Sequence, residues 1–439
     1  MLIETLIILL KISVVILGFV LSAGGLMTLI ERKQSALIQN RVGPNRANLR
    51  GHLQGEAFSK SLRLGGLFHM LADSLKMLFK EDIIPAKAHK LLFQLAPMIM
   101  LFPALVLFAV IPWTDQYCPG GALLVVNGQD VCFEEPANYF SIAELDVGLL
   151  YVFAIASLSI YGIAIGGWAS NNKYSLLGAL RASAQMLSYE VPMALSILGI
   201  VLIYGSLNLN EIAREQGELL FGILPKWGVF LQPVALLLFF TASLAENKRA
   251  PFDLPEAESE ISHGYNIEYT GLKFGMFMLA EFIGPVFIGA LIATLFFGGW
   301  QVPYLYGDGF RMPFEGMYVV FALLFLAVAA YFASVGYQRR QRLPMVVAAL
   351  FVLHVIAFAV MAYYQKEGVL RLPYPVVMAL RIGAMMTKIA LLTWLQFMLR
   401  WTLPRFRYDQ IMRLGWKVLL PLALLNLLVT AILYPIFAH

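Results

Sequence analysis

Ten runs of about twenty mostly apolar residues divide this 439-residue chain, near 5–27, 91–112, 147–168, 183–205, 229–246, 272–298, 317–336, 344–364, 379–399 and 415–436. Inside a hydrocarbon layer no water is available to a peptide group. A crossing segment must therefore satisfy its own backbone, which a helix of about twenty residues does. Only 13% of the chain is charged and 60% is hydrophobic, whereas an ordinary globular domain carries roughly 25% charged residues. The pattern excludes a string of soluble domains. It predicts an all-α fold, a polytopic membrane helix bundle that forms one domain over 1–439. The first run passes into ERKQSALIQNRVGPN without a convincing small-residue cleavage site, so it reads as a retained span.

Lys and Arg placement sets the expected sidedness. Loop 28–90 holds eleven, whereas loop 113–146 holds none and carries Asp115, Asp130, Glu134, Glu135, Glu144 and Asp146. The alternation continues with Lys173 and Arg181, then Lys248 and Arg249, then Arg339, Arg340 and Arg342, then Arg400, Arg405, Arg407 and Arg413. Basic loops are expected inside and both termini outside. Sidedness accounts for the net charge of +5 better than nucleic-acid affinity does.

Two cysteines, Cys118 and Cys132, fall in the acidic outer loop, where a disulfide can form in an oxidising compartment or the thiols can stay free. Two thiolates are too few for an ordinary iron–sulfur cluster, and His52, His69, His89, His263, His354 and His439 show no paired metal spacing. Any redox centre is expected in another chain.

Within loop 28–90, Leu67, Met70, Leu71, Leu75, Leu78 and Phe79 recur at helical spacing, with Asp73, Lys76 and Lys80 on other faces. This predicts an amphipathic helix lying at the membrane surface and stopped by Pro85. NRVGPN, at 40–45, reads as a turn.

Ionisable groups within or beside spans are costly and usually face a wet cavity or a partner. Here they are Glu190, Glu281, Arg381 and Lys388, with Lys11 and His354 weaker. Arg381 is expected to snorkel to an interface; Lys388 sits deeper. Arg181 and Gln185, just ahead of Glu190, suggest a polar seam. The stretch LAENKRAPFDLPEAESEISHGYNIEYTG, inside the acidic loop 244–271, gathers Glu246, Asp253, Glu256, Glu258, Glu260 and Glu268 out of 27 carboxylates in the chain. Pro251 and Pro255 argue against a regular helix. Phe252, Leu254, Ile261, Tyr265 and Tyr269 would be wasted in water. The stretch therefore reads as irregular backbone buried in protein or lining water, with carboxylates close enough to share protons. Such a vestibule suits a lipophilic substrate that must be protonated, a proton pathway, or both.

Five ordered segments carry a resemblance: TLIERKQSALIQNRVGPN, ADSLKMLFKEDIIP, GWASNNKYSLLGALRASAQMLSYEVP, AENKRAPFDLPEAESEISHGYNIEYTGLKF and LPRFRYDQIMRLGWK. Together they resemble the NADH dehydrogenase subunit 1 family, the membrane subunits found in mitochondria and, as bacterial counterparts, in NADH–quinone oxidoreductase (respiratory complex I). The likeness covers roughly 1–300 and 379–439. It implies an eight-helix core at the junction with the peripheral arm, a quinone tunnel, and the start of a proton route. Quinone is then the substrate, while iron–sulfur clusters and flavin belong to partner subunits. The implied partners are the peripheral-arm subunits and small membrane subunits, together with lipid, in a bacterial inner membrane.

Carried residue by residue, the resemblance implies quinone-binding roles for Glu31, Arg32, Arg41, Asp73, Lys76, Arg249 and Phe252. It implies a proton pathway through Glu190, Glu246, Asp253, Glu256, Glu258, Glu260, Glu268 and Glu281, with Lys80, Glu81, Arg181, Gln185 and Lys388 in support. The chain departs from the family pattern at Asn247-Lys248, where a Thr-Asn pair is expected, and at His263. Residues 301–378 hold two spans beyond the core and are expected to be an insertion, bringing the total to about ten. A related membrane subunit of a hydrogenase- or ferredoxin-linked ion-pumping complex is the competing reading. A secondary transporter is disfavoured, since no inverted repeat is visible.

Overall fold

A helix that begins with a side-chain cap and ends at a left-handed glycine is fixed by its sequence at both ends. The longest helix among the described residues shows both devices. The Asn172 side chain accepts from the Tyr174 N–H, and Gly205 takes φ +68° after 32 helical residues. The computed structural model describes residues 2–44, 66–115, 123–126, 129–132, 141–220, 224–255, 258–306, 309–311, 369–437 and scattered positions between 323 and 355. Its helices are α1 Leu2–Ile12, α2 Leu21–Ile38, α3 Leu67–Phe79, α4 Lys90–Val106, α5 Gly148–Ala169, α6 Lys173–Tyr204, α7 Leu209–Glu215, α8 Gly228–Leu231, α9 Pro233–Glu246, α10 Glu258–Ile261, α11 Gly271–Phe296, α12 Tyr374–Thr402, α13 Tyr408–Leu414 and α14 Leu420–Phe437.

Among the described residues, seven stretches are long and apolar enough to cross a membrane: Ile8–Ile38, Lys90–Val110, Gly148–Ala169, Lys173–Tyr204, Gly271–Phe296, Tyr374–Thr402 and Tyr408–Tyr434. Helix α9, with 14 residues, is a shorter apolar helix. The extra spans expected at 317–336 and 344–364 lie outside the described residues apart from scattered positions. The first span is longer than its hydropathy suggested. Ser13–Val20 forms π-helical turns between α1 and α2, and the helix continues to Ile38, so Glu31 and Arg32 stand on a helix and not in a loop. Likewise the residues ahead of Glu190 are the first turns of α6, which runs on through Pro192.

Helix α11 is the centre of the bundle, with 78% of its most apolar stretch buried, against 17% for the last span. Small residues let backbones approach closely, which is how helices associate where lipid removes the hydrophobic drive. A Cβ on Gly162 of α5 would stand 2.7 Å from the Met100 nitrogen of α4, and one on Gly178 of α6 would stand 2.7 Å from the Gly264 Cα.

The amphipathic helix is α3, as its periodicity predicts. Met70 and Met77 lie over Gly25 of α2 and Gly275 of α11, while Leu71, Leu75, Leu78 and Phe79 are exposed. It ends before Pro85, at an extended Lys80. Next to it, the Thr270 hydroxyl accepts from the Ile83 N–H at 3.1 Å and donates to the Glu81 carbonyl at 3.3 Å. Those bonds replace a further helical turn.

Among the described residues, three small antiparallel sheets stand in the connections: β1 Leu123–Val126 with β2 Gln129–Cys132, β3 Leu219–Leu220 with β4 Leu224–Pro225, and β5 Leu305–Tyr306, β6 Gly309–Arg311 and β7 Val369–Arg371 in that order. Asn127-Gly128 between β1 and β2 is a hairpin signal. Cys118 lies outside the described residues and Cys132 is described only as backbone, so their pairing lies outside them too.

Loops assigned to one side by charge do touch one another. The Phe406 N–H donates to the Pro251 carbonyl, and Thr270 meets Glu81 and Ile83. At the other end, Lys11 donates to the Ser141 carbonyl, and Asp115 meets both Arg214 and Arg381.

Candidate functional site: a buried ion network beside a polar cavity

At the end of the bundle that gathers 28–44, 247–270 and 400–413, a guanidinium sits between two carboxylates. Arg249 Nη1 lies 2.8 Å from Glu31 Oε2, and its Nε lies 3.3 Å from Glu281 Oε1. Arg400 pairs with the other Glu31 oxygen. Arg249 is 4% exposed, with its Cζ 4.5 Å from the Phe282 ring centre and 5.4 Å from that of Phe397. Among the described residues, two carboxylates face two guanidiniums here and their charges offset one another. Such balance is required where an uncompensated buried charge costs several kcal/mol. Glu31 comes from α2, Glu281 from α11, Arg400 from α12, and Arg249 from the turn after α9.

A second pair closes over this one. Arg405 Nη2 is 2.8 Å from Asp253 Oδ2. Burial pushes the Asp253 carboxyl above its ordinary range, against the opposing pull of Arg405 and Arg400.

A cavity of about 80 Å³ lies between α4, α5, α6, α9 and α11. It is walled by apolar side chains such as Met100, Met186 and Phe287, and it is polar where Glu246, Asn247, Lys248 and Glu281 line it. Its volume admits several water molecules, and its polar end supplies their partners. Glu246 Oε2 has no hydrogen-bond partner among the described residues. Glu281 belongs to both the ion network and the cavity wall.

The other expected residues are more dispersed. Arg32 and Asp73 pair at 2.7 Å in the exposed cleft between α2 and α3. Arg41 donates to the Gln39 side chain at 2.6 Å. Lys76, Lys80 and Glu81 are exposed. Phe252 packs between Tyr189 and Phe406, edge-on to the first and tilted to the second.

Arg181, Gln185 and Glu190 do not form a mutual seam. Arg181 pairs with Glu260 at 2.9 Å. Gln185 donates to the Ala245 and Phe252 carbonyls at 2.7 and 2.8 Å. Glu190 accepts from the Ser157 hydroxyl. Glu268 accepts from the Asn172 amide at 2.6 Å. Glu256 lies outside the described residues, as does the side chain of Glu258, which opens α10. Within the acidic stretch, Asp253, Glu260 and Glu268 are thus partnered separately, with Arg405, Arg181 and Asn172, along one irregular path. Tyr265 and Tyr269 are buried in it, as the interleaving of aromatics predicts.

Arg381 does not snorkel. It is 2% exposed, 3.4 Å from Asp115 Oδ2 and over the Trp300 ring at 4.8 Å. Asp115 offers a closer countercharge than the interface does. Lys388 donates to three carbonyls, those of Phe297, Gly299 and Gln301, at 2.7, 2.8 and 2.6 Å. It thereby caps the C-terminal end of α11. Sequence reasoning missed Arg400 and Arg405 as site residues. Arg400 extends the buried stripe Met378, Arg381, Met385, Ile389, Thr393, Gln396 of α12, a period that would have flagged it. Among the described residues, no group of three or more His, Cys, Asp and Glu side chains could hold a metal ion.

Fold and site together define a polytopic helical membrane protein that holds balanced charge and a polar cavity inside its bundle. A family model described as NADH dehydrogenase matches residues 10–431. The H subunit of the Bacillus cytotoxicus NADH-quinone oxidoreductase is 38% identical over 422 residues, 96% of this chain and 91% of that protein. Subunit 8 of the Rhodothermus marinus NADH-quinone oxidoreductase is 36% identical over 429 residues, 97% of each chain. The H 1 subunit of the Cytophaga hutchinsonii enzyme is 35% identical over 403 residues, 92% of this chain and 90% of that protein. The chain belongs to the NADH dehydrogenase family that contains these H-type membrane subunits of NADH–quinone oxidoreductase.

Proposed function

We propose that this chain is the membrane-arm subunit of a proton-translocating NADH:quinone oxidoreductase, forming much of the quinone tunnel and the carboxylate-lined start of the proton route. The observation that carries the reading is the double membership of Glu281. One of its oxygens meets Arg249 at 3.3 Å, and its side chain also lines the cavity shared with Glu246. A change of charge beside Glu31 and Arg249 therefore reaches a proton-holding cavity through one guanidinium.

Quinone is the substrate. It enters from the bilayer past α2 and α3, and electrons come from an iron–sulfur cluster in a peripheral-arm partner, fed by flavin in another. Arg32, Arg41, Asp73 and Lys76 flank the entrance, and Glu31 and Arg249 lie at its inner end. Reduction of the headgroup draws protons and redistributes charge across Glu31, Arg249 and Glu281. The cavity carboxylates then take up or release protons, with Glu190 next, since it acts electrostatically on Glu246. Asp253, Glu260 and Glu268, each held by a partner, shape the loop that separates this path from the peripheral arm. We place the protein in the bacterial inner membrane with both termini outside, on the charge alternation. Residues 301–378 are inferred to be an inserted two-helix element. Support comes from β6 and β7, which pair and so bring its two ends together.

The test is the intact complex carrying Glu246→Gln, Glu281→Gln or Glu190→Gln. Each is expected to assemble and to lose proton pumping with quinone reduction. A Glu190→Gln complex that assembles and pumps at full stoichiometry removes that residue from the route. A mass-spectrometric inventory of copurifying subunits separates this reading from a hydrogenase- or ferredoxin-linked complex.

A further inference from the structure

A lysine stands in the wall of the cavity that the carboxylates share. Lys248 follows closely on the end of α9 and is 5% exposed. Its N–H donates to the Ala245 carbonyl at 3.2 Å, and its backbone takes φ +54°. Its ammonium lies 5.2 Å from the Tyr265 ring centre, an aromatic face that holds a cation in place. The position beyond a helix C-terminus, where carbonyls are left exposed, also favours positive charge.

The charges facing it can be named element by element. Glu246 closes α9 and lines the cavity together with Lys248, and Glu190 of α6 interacts with it electrostatically. Glu281 faces it from α11 and Arg249 follows it in the chain, already committed to Glu31 and Glu281. Helices α4 and α5 give the cavity Ser159 and apolar side chains. Lys248 and Glu246 share one wall of the cavity, which puts a cation beside the carboxylate at the end of α9.

We propose that Lys248 is a fixed counter-charge of the cavity, which keeps Glu246 and its neighbour Glu190 able to ionise inside the bundle. The proposal rests on the proton-route reading only for its consequence in turnover; the relation of Lys248 to Glu246 stands on the cavity wall that they share. Two like carboxylates in a low-dielectric site cannot both give up their protons cheaply, and a nearby cation removes that restriction. Because the Lys248 ammonium lies over the Tyr265 ring and its backbone is tied to the end of α9, its charge does not travel with the substrate. It sets the proton affinity of the cavity as a constant.

The experiment uses the whole purified complex with Lys248→Asn and Lys248→Arg. Asparagine tolerates the left-handed backbone at this position, so the charge is removed without straining the turn, and arginine keeps the charge. Infrared titration of the protonated carboxyl band is the readout, with K248N/E246Q assigning the band to Glu246. K248N is expected to move the band's midpoint upward by about one pH unit or more, K248R to leave it in place, and the double variant to lose the shifted component. An unmoved midpoint in K248N, or an equal shift in K248R, overturns the proposal. A shifted band with unchanged pH dependence of pumping upholds the counter-charge and counts against the proton-route reading instead.

Discussion

Arg249 and Glu31 are separated by 218 positions in the chain and meet at 2.8 Å, both buried. Removing the guanidinium takes from both Glu31 and Glu281 the cation that they share. Arg249→Met is expected to destabilise the protein by about 3–5 kcal/mol, the range for breaking a buried pair from one side. Thermal unfolding of the detergent-solubilised complex measures it, and a change under about 1 kcal/mol would contradict mutual neutralisation of these charges.

Arg32 and Asp73 make an equally short pair, 2.7 Å, but both are substantially exposed. Water already solvates each charge, so a double-mutant cycle is expected to give a coupling of about 1 kcal/mol or less. The same two variants should raise the KM for quinone if the cleft between α2 and α3 is the entrance.

Lys388 satisfies three carbonyls at the end of α11. Lys388→Met leaves those acceptors without their donor, at an expected cost of about 2–4 kcal/mol. Because α11 carries Glu281 and α12 carries Arg400, quinone reductase activity should fall along with stability. Full retention of both would show the cap to be dispensable.

Asp253 gives a pH dependence whose sign can be worked out. Its folded pKa is raised, so between the ordinary value of 3.8 and the raised value the folded chain holds a proton that the unfolded chain has lost. Stability linked to Asp253 is therefore fully present below 3.8 and is lost as pH rises through the folded value. The wild-type unfolding midpoint should decline across that window, whereas Asp253→Asn, which cannot ionise, should show a flatter profile there. Identical profiles would rule out burial as the dominant influence on this carboxyl.

Gly162 lets α5 reach α4 with no side chain between them. Gly162→Ala places a Cβ 2.7 Å from a backbone nitrogen that cannot swing away, and it is expected to cost about 1–3 kcal/mol. Gly18, with nothing near its Cβ position, provides the matched control and should tolerate alanine at little cost.

The division between sequence and tertiary structure follows from the range of the forces involved. Seven of the ten expected spans are long apolar helices, because each must satisfy its own backbone within about twenty residues and so carries its signal locally; the one expected at 229–246 is a helix of only 14 residues. The amphipathic period of Leu67–Phe79 and the buried aromatics of the acidic stretch were legible for the same reason. Pairing was not legible. Arg181 finds Glu260 across 79 positions, and Arg400 finds Glu31 across 369. A charge's partner is set by which helices pack together, and helix packing leaves no mark within either segment. That is why Arg381 read as a snorkelling side chain until Asp115 and Trp300 were brought beside it. Sequence determined that this chain carries ionisable groups into a membrane; only the packing of α2, α6, α9, α11 and α12 decided which of them neutralise one another and which face the cavity.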